Sequence, residues 1–137
     1  MRERIFIDTD VIIDFLIDRK PFSDNANKIF VKGENEELKL YASSLCFNNI
    51  FYITRRFIGE KEARNLLFQL EKITEISPVG KSIIKTSLRS KFKDFEDGVQ
   101  NYCAKKAGIK IIVTRDKKDY RESDLSVYNP EEFLKLY

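Results

Sequence analysis

The sequence predicts an α/β fold, a three-layer α/β/α sandwich with a mostly parallel central sheet. Short apolar stretches of strand type alternate with longer amphipathic stretches along the whole chain, a pattern typical of parallel sheets covered by helices on both faces. Of the 137 residues, 42% are hydrophobic and 34% are charged, as expected for a folded, helix-rich chain. We therefore predict one domain over residues 1–137, without linkers or internal repeats.

The first half of the chain is assigned from the spacing of its apolar residues and from residues that begin or end helices. The apolar run at 4–8 predicts a strand that leads directly into a helix at 10–18. A second helix begins near Ser23 or Asp24, either of which could cap it, and ends near Val31. A strand at 39–43 follows, and then a largely buried helix at 44–57, which Gly59 is expected to end.

The second half repeats the alternation. The residues at 60–73 are good helix formers with an apolar stripe. An acidic first turn and Gly108 indicate the start and the end of a helix at 94–108. In chain order, the other predicted elements are a strand at 74–79, a helix at 80–91, strands at 109–114 and 125–129, and a short helix opened by Pro130.

Composition excludes several kinds of chemistry. The chain contains no histidine, which excludes Ser-His-Asp catalysis, Cys-His catalysis and zinc sites with histidine ligands. Cys46 and Cys103 stand apart among apolar neighbours, without the spacing of a zinc site, so we expect two buried thiols. Hydrolytic chemistry in this chain would have to use carboxylates.

Charge and apolar runs limit the partners and the location. The chain has 25 basic and 22 acidic residues and a net charge of +3, so a polyanion must be held by a local basic patch. The longest apolar runs are far shorter than the roughly 20 residues of a membrane span, and the amino terminus lacks the apolar core of a signal peptide. We expect a cytoplasmic protein with no membrane association.

Acidic residues follow two predicted strands and open one helix. They are Asp8 after the first strand, Asp116 and Asp119 after the strand at 109–114, and Asp94, Glu96 and Asp97 at the start of the helix at 94–108. The carboxyl ends of parallel strands share one sheet edge, and a right-handed crossover brings the helix start there too. Converging carboxylates raise one another's pKa, and a divalent ion relieves the repulsion. We predict a Mg²⁺ or Mn²⁺ site in which Asp8, Asp97 and Asp116 share one hydrated ion.

Helix capping and solvent exposure are the competing explanations for single acidic residues. Asp10 and Asp94 each begin a helix and could cap it; for Asp10 we predict capping as the main role, with metal contact as the alternative. Asp14 and Asp18 are expected to face water. Asp8 is harder to explain in this way, because an unpaired carboxylate between an apolar strand and a helix is costly.

Three stretches, "IFIDTDVIIDFL", "DFEDGVQNYCAKKAG" and "IIVTRDKKDY", resemble the ordered acidic motifs of PIN-domain ribonucleases, the fold also used by bacterial VapC-type toxins. The resemblance implies a PIN-like domain that hydrolyses RNA phosphodiester bonds with Mg²⁺ or Mn²⁺. It implies that Asp8, Asp97 and Asp116 hold the metal and that Asp119, in "KKDY", is the trailing acidic residue of the catalytic set. Thr114 matches the Ser/Thr that the family usually carries in the same loop.

One position departs from the family pattern. The family usually carries a Glu on the helix after the second strand, where this chain reads "SSLCFNNIFYI", so Asn49 stands in that place. Asn offers a neutral carbonyl ligand instead of a carboxylate, and the site loses one negative charge. Glu96 or Asp94 could compensate.

Basic residues flank the acidic motifs in sequence, as a site for a phosphodiester requires. The candidates for RNA binding are Arg115, Lys117, Lys118, Lys91 and Lys93; ordinary solvated surface is the alternative. The aromatic residues Phe92, Phe95 and Tyr120 could stack on unpaired bases, although core packing is the favoured role for them.

Three functional interpretations stay open. The first is a metal-dependent endoribonuclease acting on single-stranded RNA, for which the resemblance implies a toxin-like role, a homodimer and an antitoxin partner. The second is a phosphatase or phosphotransferase of the haloacid-dehalogenase type, because "IFIDTDV" also resembles that family's opening DxD, with Asp8 as nucleophile and Asp10 as acid/base. The third is a catalytically weakened RNA- or protein-binding module, which Asn49 favours.

Overall fold

The computed structural model describes residues 2–137, and all of its strands join one sheet. The strands are β1 (Glu3–Ile7), β2 (Leu38–Ser43), β3 (Glu75–Ser77), β4 (Ile111–Val113) and β5 (Ser126–Tyr128). The helices are α1 (Thr9–Leu16), α2 (Ser23–Glu34), α3 (Ser44–Ile73), α4 (Lys81–Leu88), α5 (Phe95–Lys106) and α6 (Pro130–Leu136), with a 3-10 turn at Lys117–Tyr120. The strand order is β3-β2-β1-β4-β5, and every neighbouring pair is parallel. The predicted α/β class with a mostly parallel sheet is confirmed.

The core lies on both faces of the sheet because alternate side chains of a strand point to opposite faces. Ile5 and Ile7 of β1 pack with α1, α2, α3 and α6, whereas Phe6 packs with α4 and α5. All three side chains are fully buried. This arrangement gives the predicted three layers, with β1 at the centre of the sheet.

The predicted elements all occur in the predicted order, and the differences concern their ends and caps. Gly59, expected to end a helix, is a kink with φ 84° inside α3, and helical structure continues to Ile73. Neither Ser23 nor Asp24 caps α2, whose N-cap is Phe22 without a side-chain hydrogen bond. Asp94, for which capping was one of the open explanations, does cap α5, since its Oδ1 accepts a hydrogen bond from Asp97 N.

Two further predictions concern the cysteines and membrane association. Cys46 and Cys103 are both buried and free, as expected, and burial raises the pKa of the Cys46 thiol to about 12. Over residues 2–137, no helix combines the length and the apolar character needed to cross a membrane.

Candidate active site

The carboxyl ends of β1 and β4 lie side by side where the strand order reverses. From β1 the chain moves outward to β2 and β3 and then returns to β4 on the other side of β1. Parallel α/β sheets bind their ligands at such a switch point. Asp8 directly follows β1, and its backbone N–H donates to the carbonyl of Val113, the last residue of β4, at 2.9 Å.

Asp8 is the most firmly held carboxylate of the site, and 6% of its surface is exposed. Its Oδ2 accepts a hydrogen bond from Thr114 Oγ1 at 2.7 Å. Its Oδ1 accepts from Thr9 N at 2.8 Å and from Gln100 Nε2 at 3.4 Å. Burial raises the pKa of Asp8, and these hydrogen bonds oppose the rise. The side chain is therefore fixed in orientation by three elements of the fold.

Asp10 does not cap α1, so the predicted capping role is wrong. The residue in the N-cap position is Asp8, one residue beyond the end of β1. Asp10 lies in the first turn, where its Oδ2 accepts a hydrogen bond from Arg115 N at 3.2 Å. Its Oδ1 is buried and has no hydrogen-bond partner within residues 2–137. Burial, followed by the charge of Asp8, raises the pKa of Asp10 to about 7.

Asp97 and Glu96 approach Asp8 from the first turn of α5. Burial raises the pKa of Asp97 to about 8, with further contributions from the charges of Asp8, Asp94, Asp119 and Glu96. Glu96 accepts a hydrogen bond from Thr9 Oγ1 at 3.4 Å. Burial and then the charge of Asp8 raise the pKa of Glu96. The start of α5 thus brings two more carboxylates within electrostatic range of Asp8.

Asn49 lies on α3 close to Glu96. It is half-buried, and hydrogen bonding from its side chain lowers the pKa of Glu96, in opposition to burial. Asp94, the other residue expected to compensate for Asn49, is exposed and serves as the cap of α5. The neutral amide of Asn49 on α3 is thus next to the carboxylate of Glu96 on α5.

Asp116 and Asp119 are exposed at the outer side of the site. The charge of Asp116 raises the pKa of Asp10, and the charge of Asp119 raises that of Asp97. We call these interacting carboxylates, Asp8, Asp10, Asp97, Asp116 and Asp119, the acidic cluster.

The acidic cluster forms no ion pair with a basic side chain in the part of the chain that the structure describes. In the same part of the chain, no three Asp, Glu or Cys side chains are arranged so as to hold a metal ion. The donors are nevertheless all oxygens, and the buried Asp10 Oδ1 lacks a partner, which fits a hard cation such as Mg²⁺ or Mn²⁺. That Asp8, Asp97 and Asp116 share one hydrated ion stays a prediction.

Asp14 does not face water, contrary to expectation; it is buried, with 1% of its surface exposed. It follows Asp10 by four residues and therefore lies on the same face of α1. Its carboxylate accepts hydrogen bonds from Arg19 Nε at 2.7 Å and from Arg115 Nε at 2.6 Å. Arg19 lies five residues further along the chain and Arg115 lies 101 residues further, and their positive charges offset the cost of burying the carboxylate.

Comparison with known proteins gives a match along most of the chain. The PIN domain family matches residues 4–118. The chain belongs to the PIN-domain family. Ribonuclease VapC1 of Aquifex aeolicus (strain VF5) is 31% identical over 143 residues, which cover 98% of this chain and 96% of that relative. Family membership favours the nuclease and binding-module interpretations over the haloacid-dehalogenase one.

Solved structures share the fold of this PIN domain. VapBC2 from Rickettsia felis, bound to a DNA fragment from its promoter, superposes with a TM-score of 0.71 and 13% identity, over 92% of this chain and 98% of that chain. VapC20 from Mycobacterium tuberculosis, described as a Sarcin-Ricin loop cleaving toxin, gives a TM-score of 0.65 and 14% identity, over 79% and 86% of the respective chains. At these identities the likeness concerns the fold alone.

The basic residues predicted to bind RNA divide into two groups in this PIN domain. Lys91, Lys93 and Lys118 line one cavity of about 370 Å³ together with the acidic residues Asp94, Asp119 and Glu122. We call this cavity the basic groove. The other two form ion pairs within the chain: Lys117 Nζ lies 3.0 Å from the Glu132 carboxylate at the surface, and the Arg115 guanidinium is bound to the buried Asp14.

Three residues of the site were not predicted from the sequence or were given another role. Gln100, fully buried on α5, reaches Asp8 because it lies one helical turn after Asp97. The Tyr120 hydroxyl is buried beside Asp8 without a hydrogen bond of good geometry within residues 2–137, and burial raises its pKa well above the usual value. Arg121 also lines the basic groove. The helical spacing from Asp97 was the available signal for Gln100.

Proposed function

We propose that this protein is a divalent-metal-dependent endoribonuclease of the VapC toxin type that cuts single-stranded RNA. The observation that carries the proposal is the acidic cluster at the switch point between β1 and β4. There, burial and then the charges of neighbouring carboxylates raise the pKa of Asp10 and Asp97, and no basic side chain within residues 2–137 forms an ion pair with the cluster. The 31% identity to a protein named Ribonuclease VapC1 supports the reaction class.

The residues that would hold Mg²⁺ or Mn²⁺ are Asp8, Asp97 and Asp116, with Asp119 beside them. A bound ion would supply a water of lowered pKa and would neutralise charge on the scissile phosphate. Asp8 suits this role because Thr114, Thr9 and Gln100 fix its two oxygens, and a preorganised ligand loses little freedom on binding. The burial of Asp8 also keeps competing water from one side of the site.

The basic groove would hold the RNA backbone. Three lysines line it, and it also contains Asp94 and Asp119, so its cations stand next to the acidic cluster. RNA phosphates bound in this groove would place the neighbouring nucleotides next to the carboxylates, and phosphate contacts do not depend on base sequence. Phe95 is 44% exposed and adjoins Asp94 in sequence, so it could stack on an unpaired base. Core packing, the favoured role for all three aromatic residues, is observed for Phe92 and Tyr120 but is wrong for Phe95.

Asn49 would make cleavage slow. The affinity of a site for a hard cation grows with the number of charged oxygen ligands, and an amide supplies only a dipole. Glu96 lies beside Asn49 and could supply part of the missing charge. We expect a need for millimolar Mg²⁺ or a preference for Mn²⁺.

A binding module without catalysis is the second candidate. The observation that favours it is the absence, within residues 2–137, of three acidic or cysteine side chains arranged to hold an ion. In that case the basic groove binds RNA and the cluster stays uncharged in part, through the raised pKa of Asp97 and Asp10.

An antitoxin partner and a homodimer belong to the same proposal. Similar solved structures include a VapBC complex from Rickettsia felis and a toxin-antitoxin complex from Klebsiella pneumoniae. Large apolar side chains around the kink of α3 are exposed, including Tyr52, Phe57 and Phe68. We propose that these exposed apolar side chains form part of the assembly surface on α3.

The test compares cleavage of labelled single-stranded RNA by the wild type, Asp8→Asn and Asn49→Glu, with Mg²⁺, with Mn²⁺ and with a chelator. We expect slow cleavage by the wild type, a loss of at least about 100-fold in Asp8→Asn, and a higher rate and tighter metal binding in Asn49→Glu. Asn49→Gln controls for size, and Asn48→Glu places the same new charge on the exposed neighbouring position of α3.

The outcomes separate the two candidates. Cleavage that requires metal and rises only in Asn49→Glu supports the nuclease. If the wild type and Asn49→Glu both leave every RNA uncut, although Asn49→Glu binds Mn²⁺ more tightly, the nuclease proposal is abandoned in favour of the binding module.

A further inference from the structure

An ion-pair network is centred on the buried Asp14, one helical turn after Asp10 on α1. Asp14 is 1% exposed and receives two arginines, Arg19 from the loop after α1 and Arg115 from the loop after β4. Arg115 binds it through two nitrogens, Nε to Oδ2 at 2.6 Å and Nη2 to Oδ1 at 3.2 Å. Such a two-point contact fixes the plane of the guanidinium as well as its position.

The outer face of Arg115 is covered as well. Its guanidinium carbon lies 3.8 Å from the centre of the Phe22 ring, at a distance suited to a cation–π contact. The Arg115 side chain is 27% exposed. The guanidinium is thus held between a buried carboxylate and an aromatic ring, and a phosphate would have to compete with both.

The backbone next to Arg115 is tied to α1 at the same time. Arg115 N donates to Asp10 Oδ2 at 3.2 Å. On one side of it, Thr114 Oγ1 donates to Asp8 Oδ2 at 2.7 Å. On the other side, Asp116 N donates to Thr114 Oγ1 at 3.1 Å. Thr114 and Arg115 are therefore attached to the cap of α1 and to α1 itself, and Asp116 is attached to this loop through the Thr114 hydroxyl.

We propose that the Asp14–Arg115 ion pair positions the 114–116 loop, and with it Thr114 and Asp116, against Asp8. Asp14 and Arg115 are positioning residues, and Asp14, being buried, contacts no RNA. The inference rests on the proposed ribonuclease function, because its consequence for activity requires that Asp8 and Asp116 act together. It replaces direct RNA binding as the role of Arg115.

The physical reason is that Asp116 itself is exposed and has few restraints. Its side chain makes no hydrogen bond within residues 2–137, so its place depends on the backbone that carries it. A displacement of about 1 Å at a reacting group can lower a rate by about 100-fold. A rigid attachment next to Asp116 is the feature that prevents such a displacement.

Arg19 provides a matched control. It binds the same carboxylate of Asp14 as Arg115 does, at 2.7 Å, but it belongs to the loop between α1 and α2. Removing Arg19 therefore takes one ion-pair partner from the same buried carboxylate and leaves the contacts of the 114–116 loop in place.

The experiment compares Arg115→Met, Asp14→Asn, the double variant and Arg19→Met by RNA cleavage at saturating Mn²⁺. We expect kcat to fall by about 10- to 100-fold in each of the two single variants of the pair, with KM nearly unchanged. The double variant should fall little further, because the two residues act through one contact. Arg19→Met should keep kcat within about threefold, and Arg115→Lys should retain an intermediate kcat, since Lys is a point charge without the planar fork.

Thermal melting of each variant and amide hydrogen exchange complete the test. Without RNA, exchange at Arg115, Asp116 and Asp119 should accelerate in Arg115→Met and Asp14→Asn but not in Arg19→Met. This measurement judges the positioning role even if the wild type cleaves no RNA, which would overturn the proposed function alone. If Asp14→Asn fails to fold, Arg115→Met and Arg115→Lys carry the same comparison.

Two results would overturn the inference. One is a raised, salt-dependent KM with normal kcat in Arg115→Met, together with a silent Asp14→Asn, because that combination describes an RNA-binding arginine. The other is unchanged amide exchange in the 114–116 loop, or losses of kcat and melting temperature that are equal in Arg115→Met and Arg19→Met. Either finding would mean that Arg115 only neutralises Asp14 and does not position the loop.

Discussion

Replacing Asp10 with Asn is expected to stabilise the metal-free protein in alkali and to lose that advantage in acid. Burial and the charge of Asp8 raise the pKa of Asp10 from 3.8 to about 7. The folded protein holds this proton more tightly than the unfolded chain does, so ionisation of Asp10 lowers the free energy of unfolding. The penalty begins near the unfolded pKa, grows as the pH rises and is complete above the folded pKa of about 7.

The expected change in the free energy of unfolding follows from the unfolded and folded pKa values of Asp10 and from the hydrogen bonding of its two carboxylate oxygens. Since one pKa unit corresponds to about 1.4 kcal/mol, the penalty is at most about 4 kcal/mol above pH 7 and roughly 1.5 kcal/mol at pH 5. The Asn side chain keeps an acceptor for Arg115 N, but its NH₂ group replaces the unpartnered Oδ1, and a buried donor without a partner costs about 1 to 3 kcal/mol. Asp10→Asn should therefore gain about 1 to 3 kcal/mol at pH 8 and gain little or lose stability at pH 5.

Urea unfolding in a chelating buffer at pH 8 and pH 5 measures this difference. Asp18→Asn is the matched control, because the Asp18 carboxylate is 67% exposed and its φ of 51° is one that Asn tolerates. Its change in stability should be small and the same at both pH values. A loss of stability at pH 8 in Asp10→Asn, or an equal change at both pH values, would refute the reasoning and assign Asp10 an ordinary, stabilising carboxylate.

Two further predictions concern the basic groove and Gln100. We expect a higher KM for single-stranded RNA, and a slope of log affinity against log salt reduced by about 0.7, in each of Lys91→Gln, Lys93→Gln and Lys118→Gln. The control Lys135→Gln, outside the groove on α6, should change neither quantity. Unchanged slopes in all variants would exclude the groove as the RNA path. Gln100→Leu should weaken Mn²⁺ binding by about tenfold in a calorimetric titration, because Asp8 loses a hydrogen-bond donor that orients its carboxylate. Gln69→Leu is the exposed control, and equal Mn²⁺ binding by the two variants would show that Gln100 does not orient Asp8.

The sequence by itself determined the order and type of the elements and the edge at which the site forms. Apolar periodicity and helix-ending residues predict the strands and helices, because these signals act over a few neighbouring residues. Asp8 after β1 and Asp116 after β4 are predicted together, since parallel strands end at one edge, and Thr114 is predicted from the resemblance to a known family. The departure at Asn49 was also visible in the sequence.

Only the tertiary structure decided how each charged side chain is used. Asp14 was expected in water and Asp10 at a cap, yet the first is neutralised by Arg115 and the second accepts from its backbone, across about 100 residues of chain. Gln100 reaches Asp8 in the same way, from α5. Helix spacing shows which side chains share a face, but whether that face is covered, and by which charge, depends on contacts between distant segments. Those contacts fix the desolvation and the partner of each carboxylate, and so its protonation and its role.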